Sequence, residues 1–372
     1  MKQSITITLF LAFGIFSSIA QPNKKVQVAI LFDTSNSMDG LIDQAKSRIW
    51  NIVNEVSELT YNGRTPQLEF ALYHYGNDRL SSSSNYIEQI LPFSSDLDVL
   101  SSKLFALSTN GGSEFCGAVI GKSLKDLNWS NDPTDLKMIY IAGNERFDQG
   151  PVSYKEVCAE AVKKGIFINT IYCGDYNTGV RELWKDGATC SSGDFLKIDA
   201  DKAIVHIDTP YDKKINQYND SLNKTYYGYG KVGAAKKMSQ VAEDSNAEME
   251  SISVKTERSI VKSKGQVYNN SSWDLIDAAK SGTKIEELKE DELPDEFKNK
   301  TAEEKIKLVE QKKQEREKYQ EEISNLAKER QKFIDEELKK RANEGDVDDF
   351  GTSVNESILN KAKEIGYQKT LK

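Results

Sequence analysis

The chain has 372 residues, with 58 acidic against 50 basic side chains and a net charge of −8. An acidic balance without a basic stripe excludes nucleic acid as a natural partner, because a phosphate backbone is gripped by clustered Lys and Arg. Only two histidines are present, His74 and His206, which leaves little material for Ser-His-Asp catalysis or for histidine-based zinc sites.

The first twenty residues read as an export signal. Lys2 supplies the positive start, residues 5–15 are almost wholly apolar, and Ser18-Ile19-Ala20 fits a small-x-small cleavage site. The apolar stretch is shorter than the roughly 20 residues of a spanning helix, so cleavage is favoured over a membrane anchor, and no later segment is apolar for long enough to span. No Cys follows the stretch to carry a lipid. The expected location is therefore outside the cytoplasm, the periplasm first and secretion second.

Residues 26–32 then form an apolar run, interrupted only by Gln27, that ends at Asp33, with Ser35 and Ser37 following at steps of two. Such a run reads as a strand buried on both faces of a parallel sheet. Open α/β sheets hold their ligands at the C-terminal ends of such strands. One carboxylate and two hydroxyls there are hard oxygen donors, suited to a small divalent cation.

Further along, 41–56 carries apolar residues at helical spacing, 68–75 alternates like a strand, and 86–91 fits its antiparallel neighbour. Helices are expected at 96–107 and 115–127, a buried strand at 137–142, and a helix at 154–164. A third buried strand at 166–173, a short helix around 180–185 and a last strand at 194–198 complete the region. The fold class is α/β: a doubly wound, mostly parallel six-stranded sheet with one antiparallel edge. Its bounds are 24–205.

From about Ile204 the pattern changes to charged, helix-forming residues. Residues 206–298 read as a helical and irregular region packed on or beside the first domain, with helices at 211–223 and 231–261 and a docked segment at 273–279. Residues 299–345 read as one long charged helix. Its sparse apolar stripe includes Ile306, Val309, Tyr319, Ile323, Leu326, Phe333 and Leu338, interrupted by Lys313, Arg316 and Arg330. It suits either a weak coiled coil, with self-association through 301–341, or a single helix docked along one face. Residues 346–372 read as a C-terminal helix and tail, with a capping helix at 350–367.

The four cysteines, Cys116, Cys158, Cys173 and Cys190, all lie in the first domain. In an exported protein an even count points to disulfides, with three pairings open and four buried thiols as the alternative. The position of Cys173 at a strand end and Cys190 before the next strand favours Cys173 with Cys190, leaving Cys116 with Cys158.

The D-x-S-x-S spacing of Asp33, Ser35 and Ser37, with Gly111-Gly112-Ser113 at the expected distance, resembles the metal-ion-dependent adhesion site (MIDAS) of von Willebrand factor A (vWA) domains. The resemblance implies a six-stranded sheet and a cation, Mg²⁺ or else Mn²⁺ or Ca²⁺, held by three loops. Asp33, Ser35 and Ser37 match the first loop. Ser113 stands where the second loop usually has Thr. The third loop usually has an Asp directly after its strand, and Gly143 stands there instead, with Asn144 and Glu145 as the third-loop contributors. In the family, a partner's Asp or Glu completes the ion's shell, so a protein partner offering a carboxylate is implied. The strand-end Asp of phosphatase-like enzymes needs a second Asp two residues on, where this chain has Ser35. The segments 141–145, 149–151, 171–175 and 273–277, with the charged helix after Pro294, also resemble a poorly characterised group of exported bacterial vWA proteins. A non-enzymatic binding module is the expectation. A metal-assisted hydrolase using Glu145 or Glu114 as base, or a structural scaffold with a degenerate site, are the alternatives.

Overall fold

A computed structural model describes residues 24–39, 50–198, 207–343 and 350–369. The expected signal at 1–20 lies outside these residues. So does the start of the expected 41–56 helix, of which 50–56 is helical.

The main sheet is built from β1 (Lys25–Asp33), β3 (Gln67–Tyr75), β4 (Ile87–Ser94), β5 (Leu136–Gly143), β6 (Phe167–Cys173) and β7 (Phe195–Ile198), and a short β2 (Leu59–Tyr61) lies apart from it. The spatial order is β4-β3-β1-β5-β6-β7. β1 runs parallel to both β3 and β5, β5 to β6 and β6 to β7, while β4 is the antiparallel edge. The chain therefore winds outward from β1 in one direction and restarts at β5 in the other. The switch point, where open α/β sheets bind ligands, lies between β1 and β5.

β5 is buried at every position and β1 at every position after the first, because helices cover both faces. Val28, Ile30 and Phe32 point to one face, Ala29 and Leu31 to the other. Helices α2 (Cys116–Asp126), α3 (Tyr154–Lys163) and α5 (Trp184–Thr189) pack on the second face, with α4 (Tyr176–Arg181) between β6 and α5. The first face is covered by 50–56, by α1 (Leu97–Phe105) and by the C-terminal half of the chain.

That half comprises α6 (Asp212–Asn223), α7 (Gly230–Glu250), α8 (Ile252–Ser263), α9 (Leu275–Lys280), α10 (Ala302–Asn343), α11 (Phe350–Ile365) and β8 (Tyr367–Lys369). Ile215, Leu222, Val261, Ile323, Ile358 and Tyr367 share one continuous core with the sheet residues Val26, Val28, Ile30 and Phe32. The single helix expected over 231–261 is broken at Ser251, which is extended and caps α8 by accepting from the Val254 N–H. The helix expected over 350–367 ends at Ile365. Gly366 turns at φ +98°, and β8 pairs antiparallel with β2. Tyr367 donates to the Lys25 carbonyl at 2.9 Å, tying the C-terminal strand to the first strand of the sheet.

The long charged helix is docked on its own chain. Ile323 is fully buried and Val309 nearly so. Arg316 and Arg330, which interrupt the apolar stripe, are the anchors. Arg316 is 4% exposed; its guanidinium meets Asp274 at 2.6 Å and Asp277 at 2.7 Å and lies 3.9 Å from the Tyr226 ring centre. Arg330 bonds Asp212 at 2.7 Å, Ser253 at 3.0 Å and Glu257. A further buried network joins the two halves: Arg258 bonds Asp98 of α1 and Asp244 of α7, Lys262 bonds Asp244, and Tyr268 donates to Asp98.

The expected disulfide pairing is corrected. Cys158 is bonded to Cys190, while Cys116 and Cys173 are free and buried. Strand parity explains the difference. Cys173 alternates with Tyr172 in β6 and falls on the first face of the sheet, whereas Cys158, Cys190 and Cys116 lie on the second. Cys158 on α3 and Cys190 just after α5 meet there, with Cα atoms 5.8 Å apart.

Candidate metal centre

Parallel register brings three strand ends to one level. Asp33 at the end of β1 faces Tyr75 at the end of β3, and Phe32 faces Ala142, one residue before the end of β5. The Thr34 N–H continues the ladder to the Tyr75 carbonyl at 2.9 Å, so the chain leaves the sheet only after Asp33 is locked in place. The following loop turns through a short helical turn, Asn36–Met38, whose Met38 plugs the core.

Asp33 is fully buried. Its Oδ1 accepts from the Ser35 N–H at 2.8 Å, while Oδ2 has no hydrogen-bond partner among the described residues. Burial pushes the carboxyl up to about 8, against hydrogen bonds from Ser35 and with the charges of Glu114 and Glu145 adding to the rise. An orphaned carboxylate oxygen at a strand end is costly, and a bound cation relieves that cost. The hydroxyls of Ser35 and Ser37 lie 2.7 Å apart. The Ser37 hydroxyl bonds Asn144 Oδ1 at 2.8 Å, and Asn144 Nδ2 returns to the Ser37 carbonyl at 3.1 Å. Four of the residues singled out from sequence, Asp33, Ser35, Ser37 and Asn144, thus form one connected group.

The second loop is stitched to the first. The Asn110 N–H donates to the Thr34 carbonyl at 3.0 Å, and Asn77 Nδ2 spans the Thr34 and Ser108 carbonyls at 3.2 Å each. Gly112 packs so tightly on this loop that a Cβ would lie 2.1 Å from the Gly76 carbonyl oxygen. Ser113 follows that contact and is half-buried, with no side-chain hydrogen bond to another described residue. The next residue, Glu114, lies before α2 and is 8% exposed. A Cβ on Gly76 would stand 2.8 Å from Asp33 Oδ1, 3.0 Å from Glu114 Cγ and 3.6 Å from Ser35 Cβ, so these three side chains converge on one point. Burial raises the Glu114 carboxyl too. The sequence put Glu114 forward only as a candidate base of the alternative hydrolase, not as a ligand. The signal that could have found it is its place directly after the hydroxyl of the second loop.

The third loop carries no carboxylate at the strand end. A Cβ on Gly143 would meet the Tyr75 hydroxyl at 2.8 Å, the Trp184 ring at 2.9 Å and Asp33 Oδ2 at 3.1 Å. Tyr75 donates to the Ala142 carbonyl, and the Trp184 Nε1 donates to the Glu145 carbonyl at 2.6 Å. The Glu145 side chain is exposed at the rim, outside the bonded group. His74, near the end of β3, bonds Thr34, and Glu88 of the neighbouring edge strand. Among the described residues no three His, Cys, Asp or Glu side chains gather as a metal cluster. Any ion here would be held by carboxylate together with hydroxyl oxygens.

The first half of the chain has a vWA-like fold. Its strand order, its antiparallel edge and a D-x-S-x-S loop at the switch point carry that statement. No protein-family model matches the chain, and no curated protein matches it. Solved structures similar to the chain include the conserved hypothetical protein BatB from Bacteroides thetaiotaomicron, at 17% identity and a TM-score of 0.36, covering 47% of this chain and 90% of that one. The SpRpn10 VWA domain matches at 13% identity and 0.37, covering 48% and 90%. Proximal thread matrix protein 1 from the mussel byssus, in a form with a zinc-occupied MIDAS motif, matches at 14% identity and 0.37, covering 48% of this chain and 43% of that one. No described helix of the vWA-like domain or the helical half is long and apolar enough to cross a membrane.

Proposed function

We propose that this protein is an exported, cation-dependent protein-binding module. Asp33, Ser35 and Ser37 hold a divalent cation, Mg²⁺ with Mn²⁺ or Ca²⁺ as substitutes, and Ser113 and Asn144 border it. The ion supplies a strong electrostatic hold on an anionic oxygen. The ligand it takes is an Asp or Glu side chain of a protein partner. The chain's own residues do the rest. Ser35 fixes the Asp33 carboxylate through its N–H, Asn144 holds Ser37, and the Tyr75–Trp184 wall closes the inner side of the site.

The observation that carries this reading is the Asp33 carboxylate, fully buried with Oδ2 unpartnered, in a loop whose Ser35 and Ser37 hydroxyls lie side by side. Its test is titration calorimetry with Mn²⁺ on the wild-type chain and Asp33→Ala, followed by capture of envelope proteins with and without chelator. The expected result is ion binding lost in Asp33→Ala and a partner lost in both treatments. Identical Mn²⁺ isotherms for the two proteins would overturn it.

A further inference from the structure

We infer that Glu114 is a direct ligand of the same cation and supplies the second carboxylate of the site in place of the third loop. This rests on the reading of Asp33 as a cation ligand and extends it to a residue that the D-x-S-x-S pattern does not include.

Two observations point the same way. The first is position. Glu114 is 8% exposed, and its side chain reaches the point beside Gly76 where Asp33 Oδ1 and Ser35 also converge. The Ser35 N–H donates to Asp33 Oδ1 at 2.8 Å, and Ser35 Cβ borders the same space beside Gly76 as Glu114 Cγ, which sets two acids and a serine around one small space. Two buried carboxylates this close repel each other unless a proton or a cation lies between them. The unpartnered Asp33 Oδ2, fully buried, shows that the protein's own groups leave the Asp33 carboxylate half satisfied.

The second is exclusion. The third-loop position has no room for a side chain unless its neighbours shift, because Tyr75, Trp184 and Asp33 itself crowd the Cβ at Gly143. Among the other nearby acids, Glu145 is exposed with its main chain held by Trp184, and Asp78 is turned toward Gly111. Glu114 is the buried one. Affinity for a hard dication rises with the number of anionic oxygens around it. With Asp33 and Glu114 both ionised, the charge of a dication is balanced before any partner arrives. The second loop would therefore set how strongly the ion is held, and the third loop would serve as a neutral wall.

The test is Mn²⁺ binding, read by calorimetry and by loss of the free-ion electron paramagnetic resonance signal, on the wild-type chain, Asp33→Asn, Glu114→Gln, Glu114→Asp and Glu145→Gln. Thermal melts in chelator check each fold. The expected result is that Glu114→Gln weakens Mn²⁺ by about tenfold or more, with Glu114→Asp in between and Glu145→Gln within about twofold of wild type. In chelator, Glu114→Gln is expected to melt no lower than wild type, since it removes a charge beside Asp33. At the same concentration, Mn²⁺ is expected to raise the melting temperature of the wild type more than that of Glu114→Gln. Wild-type affinity in both Glu114 variants, with binding lost in Asp33→Asn, would overturn the role of Glu114 and leave the Asp33 site standing. Equal binding by the wild type and Asp33→Asn would overturn the site itself and this inference with it.

Discussion

Replacing Asp33 by Asn should stabilise the ion-free protein, the reverse of what a buried polar residue usually does when altered. The carboxyl is fully buried and its pKa is pushed up to about 8, against an ordinary value of 3.8. At pH 7 the folded chain therefore keeps the proton that the unfolded chain has released. The sign follows from linkage: between pH 4 and 8 the native state binds more protons, so stability falls as pH rises. At about 1.4 kcal/mol per pH unit above the unfolded value, the burden at pH 7 is about 4 kcal/mol. Asn carries no such burden at any pH. Urea unfolding in chelator should show Asp33→Asn more stable at pH 7 by a few kcal/mol, with the gap closing toward pH 4. Saturating Mn²⁺ should reverse the order, since only the wild type gains from the ion. An Asn variant less stable than wild type in chelator at pH 7, or a gap independent of pH, would refute the reasoning.

Because the ion replaces that proton, Mn²⁺ affinity should fall about tenfold per pH unit below 8, and calorimetry in buffers of different ionisation heat should record one proton released per ion. Arg316→Ala should cost about 3–5 kcal/mol in chemical denaturation, because it leaves Asp274 and Asp277 buried without their cation. Arg316→Met combined with Asp274→Asn and Asp277→Asn should recover most of that loss. Gly143→Asp, which restores an acid at the strand end, should destabilise the protein by about 1–3 kcal/mol through crowding of Tyr75 and Trp184. It should also fail to tighten Mn²⁺ binding in the same titration.

The inner parallel strands were legible because they are buried on both faces and so read as largely apolar runs, and the β3–β4 pair by its alternation. The first loop was legible because D-x-S-x-S is local: Asp33, Ser35 and Ser37 lie within five residues, and their spacing alone turns them to one place. Glu114 was not, because its role depends on where Gly76 and Ser35 bring the backbone of another loop. The cysteine pairing failed for a related reason. Order along the chain put Cys173 near Cys190, but alternation along β6 sends Cys173 to the opposite face of the sheet from the helices that carry Cys158 and Cys190. The short pairing of β2 with β8 joins residues some three hundred positions apart, and neither three-residue segment has a pattern long enough to show it.

Arg316 and Arg330 mark the boundary most clearly. In one dimension they break an apolar stripe and argue for a solvated helix. In three dimensions they are 4% and 2% exposed and hold the helix to its own chain. Local pattern and burial by apolar run are properties of the chain, so the α/β order, the long helix and the oxygen donors of the first loop were already written in it. Which buried charge finds which counter-charge, which face a thiol takes, and which acid stands beside Asp33 are decided by segments distant in sequence. A charge has no preferred neighbour until the fold removes water and leaves it only a few.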